Sequence, residues 1–365
     1  MKTHNIMLAL FLLAGYFLNV PLADAQDVSE QKNSILAELE KEIQTIYADA
    51  APAIVRISAC QVTNEENNER CVRVGSGFVV GENGFIVTTS DIASHSCQLK
   101  VMLADNKEYL AELVAEDKML NIAVLKINAA SLKTVRMGSD DTVVPGSIIV
   151  SITNPYGMTN SLAVGFVSGR CRSGFQTGQV ENYLQTTVPL SPGDTGSPLF
   201  NANGEVIGIL TAVLVDEGAQ PAPENPTLFQ INNISLAIPI DIVKKHLPDM
   251  IRNGRAERGW IGIEVCNLNQ PDLLKFDFSQ PDIRSGILIT QILPESPAET
   301  AGLLVGDIIT RFNETVILTV SDLQMAVART ELDIQAELTV IRNNQTAVIH
   351  VTPRRMPDRY TNQNH

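Results

Sequence analysis

A hydroxyl side chain lies between two glycines in the segment Gly193-Asp194-Thr195-Gly196-Ser197. Glycines at such positions allow positive φ angles and let another molecule approach the backbone closely, so the segment is predicted to turn sharply. A hydroxyl such as that of Thr195 becomes an effective nucleophile only when a nearby base accepts its proton. Thr195 could therefore act as a nucleophile only if a base lies close to it.

Histidine is the side chain most often used as such a base. The chain has five histidines, which are His4, His95, His246, His350 and His365. Only His95 falls in the strand-rich region that contains Thr195, residues 51–240, because the other four lie before or after that region. The histidines therefore offer one candidate base.

The cysteines show no CxxC or Cys/His spacing that would suggest a metal site, so neither a metal nor a cofactor is predicted. They are Cys60, Cys71, Cys97, Cys171 and Cys266. Cys60 and Cys71 bracket a polar loop between two strand-like segments, and in an oxidising compartment we expect them to form a disulfide. Two free thiols are the alternative.

Length and charge restrict the function further. The chain has 365 residues, of which 44% are hydrophobic and 19% are charged, and its net charge is −14. This length is enough for two domains with their own cores. The negative charge argues against nucleic acid and anionic membrane surfaces as partners.

Residues 1–25 have the features of a secretory signal peptide. Lys2 supplies a positive start, an apolar segment runs from Ile6 to Val20, and Ala23-Asp24-Ala25 fits a small-x-small cleavage site. The apolar segment is shorter than the roughly 20 residues of a membrane-spanning helix. We therefore predict export, with an uncleaved membrane anchor as the alternative.

The remaining elements fall into distinct parts of the chain. Residues 26–50 have apolar positions at helical spacing and are predicted to form an N-terminal helical segment. Residues 51–240 contain many short strand-like segments, such as 85–88 and 122–127, separated by Gly, Asn and Pro. Many short strands favour an antiparallel barrel or sandwich, and two six-stranded barrels fit a stretch of this length.

A second domain is predicted after a linker helix at residues 241–257. Residues 258–355 alternate strand-like segments with two helical ones, at 297–301 and 320–328, which is typical of an α+β domain. Residues 356–365 form a polar tail.

Several short motifs stand in a fixed order along the chain. They occupy residues 52–57, 75–80, 84–88, 182–186, 258–263 and 296–303. Together with the Thr195 segment, their order resembles the HtrA/Deg family of envelope serine proteases, and most resembles its short, DegS-like members. The resemblance implies a mainly β fold, in which two six-stranded antiparallel barrels of the trypsin/chymotrypsin type precede an α+β PDZ domain.

The resemblance places the family's catalytic base at Asp91, its orienting aspartate at Asn121 and its nucleophile at Thr195. It also implies an oxyanion hole at Gly193, Asp194 and Thr195. A carboxylate with an ordinary pKa of about 3.9 accepts a hydroxyl proton poorly. Because the neutral Asn121 cannot stabilise a protonated base either, these positions predict an inactive protease.

A rescued active site is the alternative. His95 follows Asp91 by four residues, which is one turn if this segment is helical. His95 could then act as the base for Thr195, with Asp91 as its orienting partner. The distance from His95 to Thr195 distinguishes this arrangement from an unrelated surface histidine.

The resemblance also implies which residues bind a peptide and which residue relays the presence of that peptide to the active site. Trp260, Ile261, Gly262 and Ile263 match the loop that captures a peptide's C-terminal carboxylate while the peptide adds a strand to the sheet. Arg172 matches the sensor-loop arginine of the family, although an ordinary surface arginine is the alternative.

The favoured hypothesis is an exported, catalytically inactive protein that binds peptide C-termini or unfolded proteins through its PDZ domain, in envelope quality control or as a scaffold. The alternative is an active trypsin-like endopeptidase that uses Thr195, His95 and Asp91. Because the family commonly forms trimers, we expect a homotrimer or an assembly with a paralogue. The expected location is the periplasm or cell envelope, with anchoring to the inner membrane if the signal is not cleaved.

Overall fold

The computed structural model describes residues 25–62, 69–94, 98–172, 181–211, 234–268 and 285–357, with side chains for residues 35–60 and from 73 onwards within these ranges. The predicted signal segment up to residue 24, the loop residues 173–180, His95 and Cys97 lie outside this description. So do residues 212–233 and the end of the predicted tail.

The N-terminal helix α1 covers Ala25–Ala50, as the spacing of its apolar residues predicts. A 3₁₀ turn that contains Pro52 follows at Ala51–Ala53 and ends the helix. The helix up to Thr45 belongs to a separate unit of the chain. No helix in the described ranges combines the length and the apolar character that a membrane span requires.

The first barrel is built from six strands. Their order around the barrel is β1-β2-β3-β6-β5-β4, and all neighbours are antiparallel. Strands β1 to β6 cover, in chain order, Ile54–Val62, Glu69–Gly81, Phe85–Thr88, Gln98–Met102, Glu108–Asp117 and Ile122–Ile127. A short helix, α2, covers Ser90–Ala93 at the end of β3. The inward side chains are aliphatic and fully buried, as for Ile57, Ile86 and Leu125.

The second barrel follows directly. Strands β7 to β13 cover Arg136–Met137, Ile148–Thr153, Ser161–Arg172, Tyr183–Thr186, Pro198–Phe200, Glu205–Thr211 and Ser235–Pro239. Their order is β11-β8-β9-β10-β13-β12-β7, and an additional pairing of β11 with β12 closes six of them into a barrel. The two-residue strand β7 adds to β12 in parallel. The predicted pair of six-stranded barrels is therefore confirmed.

Helix α3 covers Ile240–Asn253 and connects the second barrel to the C-terminal domain. Gly254 ends it in the left-handed conformation at φ 69°.

The C-terminal domain packs two helices against a small sheet. Strands β14 to β21 cover Gly259–Trp260, Ile263–Asn267, Ile287–Ile292, Ile308–Phe312, Thr315–Val316, Ala336–Arg342, Gln345–Val351 and Arg354–Arg355. The main sheet has the order β15-β16-β17-β19-β20, and β14 pairs with β21. Helices α4 and α5 cover Pro297–Ala301 and Val320–Arg329. The first matches its predicted range, and the second extends one residue beyond it.

His246 on α3 is buried, and its ring nitrogens make no well-formed hydrogen bond in the described ranges, although the backbone of Ala328 lies close enough to oppose in part the lowering of its pKa. Burial, together with the charges of Lys245 and Arg258, lowers the pKa of His246 to about 4. Its ordinary pKa is about 6.5, so between these values the unfolded chain binds a proton that the folded chain does not. The free energy of unfolding should therefore decrease as the pH falls through this window.

Between pH 6.5 and pH 4, the free energy of unfolding should decrease in both proteins. The decrease should be smaller in the His246→Met variant than in the unmodified protein, by on the order of 2–3 kcal/mol. Methionine fills a similar volume and carries no titrating group. Urea unfolding of both proteins across this range measures the difference. The buried Met250 on the same helix provides the control, since Met250→Leu changes no titrating group and should keep the pH slope of the unmodified protein. Parallel slopes for His246→Met and the unmodified protein would contradict the prediction.

Candidate functional site

The turn that carries Thr195 packs against the first barrel. Gly193 and Gly196 have φ angles of 103° and 90°, as the sequence predicts. A Cβ atom on Gly196 would overlap the carbonyl oxygen of Ser76 and would lie 2.6 Å from the hydroxyl of Thr88. The N–H of Ser76 also donates to the carbonyl of Thr195 at 2.8 Å. The close approach explains why only glycine fits at position 196.

Two backbone donors of this turn have no acceptor within the described part of the chain, namely the N–H groups of Gly193 and Thr195. The N–H of Asp194 differs, because it donates to the carbonyl of Ser191 at 2.9 Å. The Asp194 carboxylate in turn accepts from the N–H of Ser191 at 2.7 Å, and burial raises the pKa of Asp194. Of the three residues predicted for an oxyanion hole, two therefore have an N–H group available to a ligand oxygen.

Asp91 and Asn121 are in direct contact. Asp91 lies on α2, and its N–H donates to the side-chain oxygen of Asn121 at 3.2 Å. The Asn121 amide donates onward to the hydroxyl of Thr211 at 3.0 Å. Asn121 has a φ of 52°, a left-handed conformation that asparagine tolerates better than most residues. The guanidinium of Arg73 donates to the backbone carbonyl of Asp91.

The protonation of Asp91 follows from its surroundings. Burial raises the pKa of Asp91, and the nearby polar side chains of Thr89 and Asn121 and the charge of Arg73 partly oppose this. A raised pKa makes a carboxylate a better base than an exposed one. However, no hydrogen bond joins the side chains of Asp91 and Thr195 among the described contacts.

The structure therefore brings together two of the three predicted triad positions by direct hydrogen bonding and places Thr195 in the adjoining turn. In the described ranges, the site contains a hydroxyl, a carboxyl and an amide, but no imidazole. His95 lies outside these ranges, so the distance from His95 to Thr195 is not part of this geometry.

Arg172 is the last residue of β9 and is exposed. Its guanidinium donates to the side-chain oxygen of Gln185, on the neighbouring strand β10, at 2.9 Å. This contact holds Arg172 within its own barrel. A role as a sensor for the second domain stays a prediction.

The predicted peptide-binding loop follows β14. Ile261 is buried in the core of the C-terminal domain, and its carbonyl accepts from the N–H of Ala298 at 2.9 Å. Gly262 has a φ of 79°, and a Cβ atom there would overlap the side chain of Ser296. The N–H groups of Ile261 and Gly262 have no acceptor in the described structure. The loop is therefore fixed by its carbonyl groups and leaves two neighbouring N–H groups for a ligand.

A buried ion pair near this loop was not predicted from the sequence. The Asp117 carboxylate lies 2.9 Å from the guanidinium of Arg258, and only 5% of the Asp117 side chain is exposed. The pair joins the end of β5 to the residue before β14. The only sequence signal was that Arg258 belongs to the motif at residues 258–263, which says nothing about its partner.

An acidic cluster connects the same two domains. The Asp140 carboxylate accepts from the N–H of Asp241 at 2.8 Å and lies 3.8 Å from the guanidinium of Arg170 and 3.5 Å from that of Arg329. Burial raises the pKa of Asp140 to about 6. With Asp141, these carboxylates lie within 4.8 Å of one another, a spacing that a metal ion could use. Because two guanidinium groups already face Asp140, the cluster acts as an ion-pair junction.

Comparison with known families matches one family within the two barrels and another within the C-terminal domain. Residues 75–209 match the family described as the trypsin-like peptidase domain. Residues 259–352 match the PDZ domain family.

Curated relatives have the same two parts within longer chains. The chain is 31% identical over 285 residues to the "Probable periplasmic serine endoprotease DegP-like" of Pseudomonas putida (strain W619), which covers 78% of this chain and 56% of the relative. It is 32% identical to the protein of the same description from Marinomonas sp. (strain MWYL1), covering 78% of this chain and 58% of the relative. The chain thus spans less than two thirds of the length of these relatives.

Solved structures share the fold across both domains. "HtrA-type protease AlgW with tripeptide" is similar with a TM-score of 0.66 and 25% identity, covering 86% of this chain and 97% of that chain. The serine endoprotease from Yersinia pestis is similar with a TM-score of 0.60 and 26% identity, covering 86% of this chain and 98% of that chain.

Proposed function

Because this chain is an HtrA-family homologue with a trypsin-like peptidase domain and one PDZ domain, we propose that it is a catalytically inactive, peptide-binding protein of the cell envelope. The observation that carries the proposal is the environment of Thr195, whose hydroxyl has no base among the described residues. The proposed ligands are peptide C-termini or unfolded proteins, and the proposed role is quality control or a scaffold.

The chemistry of the site supports the loss of proteolysis. A trypsin-like mechanism needs a base that takes the hydroxyl proton and then gives it to the leaving amine. Asn121 has no charge with which to stabilise such a base once it is protonated. The N–H groups of Gly193 and Thr195, which have no acceptor among the described residues, could still bind a carbonyl or carboxylate oxygen, as a binding cleft would.

The PDZ loop supports the peptide-binding part of the proposal. A carboxylate accepts hydrogen bonds from adjacent backbone N–H groups, and those of Ile261 and Gly262 are available. The apolar side chains of Ile261 and Ile263 favour ligands that end in an apolar residue. The printed name of one structural neighbour, "HtrA-type protease AlgW with tripeptide", includes a peptide.

We expect the Gly262→Ala variant to bind C-terminal peptides at least ten-fold more weakly than the unmodified protein. The added methyl group would overlap Ser296 and would move the carboxylate-binding N–H groups. Fluorescence anisotropy with a labelled peptide that ends in a free apolar residue measures the change, and the amidated peptide shows whether the carboxylate is needed.

Gly302→Ala is the matched control for this test. Gly302 has nearly the same φ, 77°, but no atom lies within 4 Å of the position of an added Cβ. The Gly302→Ala variant should therefore introduce the same backbone strain without an overlap, and it should bind the peptide as tightly as the unmodified protein does. Equal peptide affinity of the unmodified protein and the Gly262→Ala variant would contradict the proposed role of this loop in binding the carboxylate.

The alternative function is an endopeptidase that uses Thr195, His95 and Asp91. The observation that favours it is a buried carboxylate oxygen of Asp91 that has no hydrogen-bond partner among the described residues, since such an oxygen could accept from a histidine ring N–H. This alternative is separated from the first proposal by the cleavage experiment described in the Discussion.

We also propose a disulfide between Cys60 and Cys71. The two residues lie opposite each other in the pairing of β1 with β2, a position where Cβ atoms are about 4.5–5.5 Å apart. The side chain of Cys71 lies outside the described residues, and no disulfide is seen in the structure. The support for the bond is therefore the backbone register of β1 and β2, together with the proposed export of the protein.

Mass spectrometry of the exported protein under non-reducing conditions should find a peptide that contains both Cys60 and Cys71. The Cys60→Ser/Cys71→Ser double variant should lose about 2–4 kcal/mol of stability, because it no longer closes the loop in the unfolded chain. The exposed Cys171 serves as a control, since Cys171→Ser should have little effect. Free, alkylatable thiols at both positions would contradict the bond.

The proposed location is the periplasm or cell envelope, which the names of the curated relatives support. The proposed assembly is a homotrimer or a complex with a paralogue. An apolar stripe on β9, made of Leu162, Val164 and Phe166, is 44–50% exposed and supports self-association.

A further inference from the structure

Strand β15 and helix α5 lie next to each other in the PDZ domain. At one end, a Cβ atom on Gly259 would lie 2.8 Å from the carbonyl oxygen of Val327, near the end of α5. At the other end, the side-chain oxygen of Asn267 accepts from the N–H of Val320, the first residue of α5, at 2.9 Å. The strand and the helix therefore run side by side in opposite directions.

Strand β15 lies at the edge of its sheet. In the described ranges it pairs only with β16, so residues 263–265 have no described strand on their other edge. An extended peptide can join such an edge as an additional strand.

Side chains alternate between the two faces of β15. Ile263 and Val265 pack against the apolar core that includes Leu323 of α5. Glu264 lies between them, is exposed, and pairs across the sheet with Gln291. No ion pair of Glu264 occurs in the described structure, which leaves a free carboxylate on the outer face of the edge strand.

The position of the carboxylate-binding loop sets the register of a bound peptide. If Ile261 and Gly262 hold the C-terminal carboxylate, then the last residue of an antiparallel peptide lies opposite Ile263. The penultimate residue then lies opposite Glu264. Directly opposed residues of antiparallel strands project from the same face, so the penultimate side chain would lie beside the Glu264 carboxylate and away from α5.

We propose that Glu264 selects peptides whose penultimate residue is lysine or arginine. The inference rests on the proposed function, because it requires a peptide bound at this edge. An opposite charge directly across two strands favours binding, and a like charge opposes it. The expected preference for lysine over glutamine is about 1.5- to 5-fold at low salt, and glutamate should bind more weakly than glutamine.

The test uses the full exported chain and three peptides that share an apolar free C-terminus and differ only in a penultimate lysine, glutamine or glutamate. Fluorescence anisotropy at low and high salt gives their affinities. The unmodified protein should bind the lysine peptide best. Glu264→Gln should remove the difference between lysine and glutamate peptides, and Glu264→Lys should reverse it.

Two controls separate this local effect from the negative charge of the whole protein. Glu337→Gln removes the same charge from an exposed position on β19, three strands away from β15, and should keep the preference for lysine. A peptide with its lysine moved one place further from the C-terminus should lose that preference, because this side chain faces α5 instead.

The outcomes differ for this inference and for the proposed function. Equal binding of the three peptides by the unmodified protein, or a lysine preference that persists in Glu264→Lys, would overturn the role of Glu264 while peptide binding stands. Failure of all free-acid peptides to bind would overturn the proposed function and, with it, this inference.

Discussion

The purified protein should not cleave casein or fluorogenic peptides above the level of its Thr195→Ala variant. Loss of a complete serine-protease triad reduces turnover by about 10⁶-fold, and the residual rate comes from binding and the oxyanion hole. In the described site, no base is hydrogen-bonded to the Thr195 hydroxyl. A base that became protonated would have only the neutral Asn121 beside it, which carries no charge to stabilise it. Removing the Thr195 hydroxyl should therefore change nothing that can be measured.

Restoring the triad should have the opposite effect. The variant Asp91→His/Asn121→Asp/Thr195→Ser places a base, an orienting carboxylate and a serine on a backbone whose turn is already formed by Gly196. A general base contributes about 10²–10⁴-fold, so cleavage should rise at least 10²-fold above the unmodified protein. Thr195→Ser alone is the matched control and should stay inactive.

The rescued arrangement gives a different pattern. If Thr195, His95 and Asp91 form a working site, then the unmodified protein cleaves peptides, and Thr195→Ala and His95→Ala each abolish the cleavage. That result would overturn the proposal of inactivity. Loss with Thr195→Ala but not with His95→Ala would point to Asp91 as the base.

Removing Asp117 should destabilise the protein by about 3–5 kcal/mol, because the Arg258 guanidinium would remain at a largely buried site without its partner. Asp117 also accepts a hydrogen bond from the N–H of Leu120 at 3.0 Å, which Asp117→Ala would remove. Urea unfolding of Asp117→Ala and of the unmodified protein measures the difference.

The controls for this ion pair use exposed and apolar replacements. Asp105 forms an exposed ion pair with Lys107, so Asp105→Ala should change stability by less than about 1 kcal/mol. Replacing both partners, as Asp117→Leu/Arg258→Met, should recover much of the lost stability, because no buried charge is left alone. A loss in the double variant as large as in Asp117→Ala would show that packing, and not the unpaired charge, decides the effect.

Much of the fold could be predicted because its strands are short, apolar and separated by turn residues. The segments 85–88 and 122–127 are found as β3 and β6 with the same bounds. Strand β5, Glu108–Asp117, was not predicted, since it carries several charged residues and is exposed along much of its length. Its place in the barrel is decided by pairing with β4 and β6. The pattern of residues within β5 itself contains no information about these partners.

The candidate site was predictable in its residue types but not in its interactions. The motif order placed Asp91, Asn121 and Thr195 at related positions. It did not indicate that the Asn121 amide donates to Thr211, ninety positions further along the chain. Nor did it indicate that burial raises the pKa of Asp91, because desolvation depends on segments that meet only in the folded protein.

What the sequence by itself determined is the chemistry that is present at each position. The glycines beside Thr195 specify the turn, and the side chains at 91 and 121 specify an acid and an amide in place of a base and its partner. The tertiary structure alone decided which groups remain free to bind, since a hydrogen bond or an ion pair depends on the distance between atoms from separate segments. Within the described residues, the N–H groups of Gly193 and Ile261 and the carboxylate of Glu264 have no partner because of that packing.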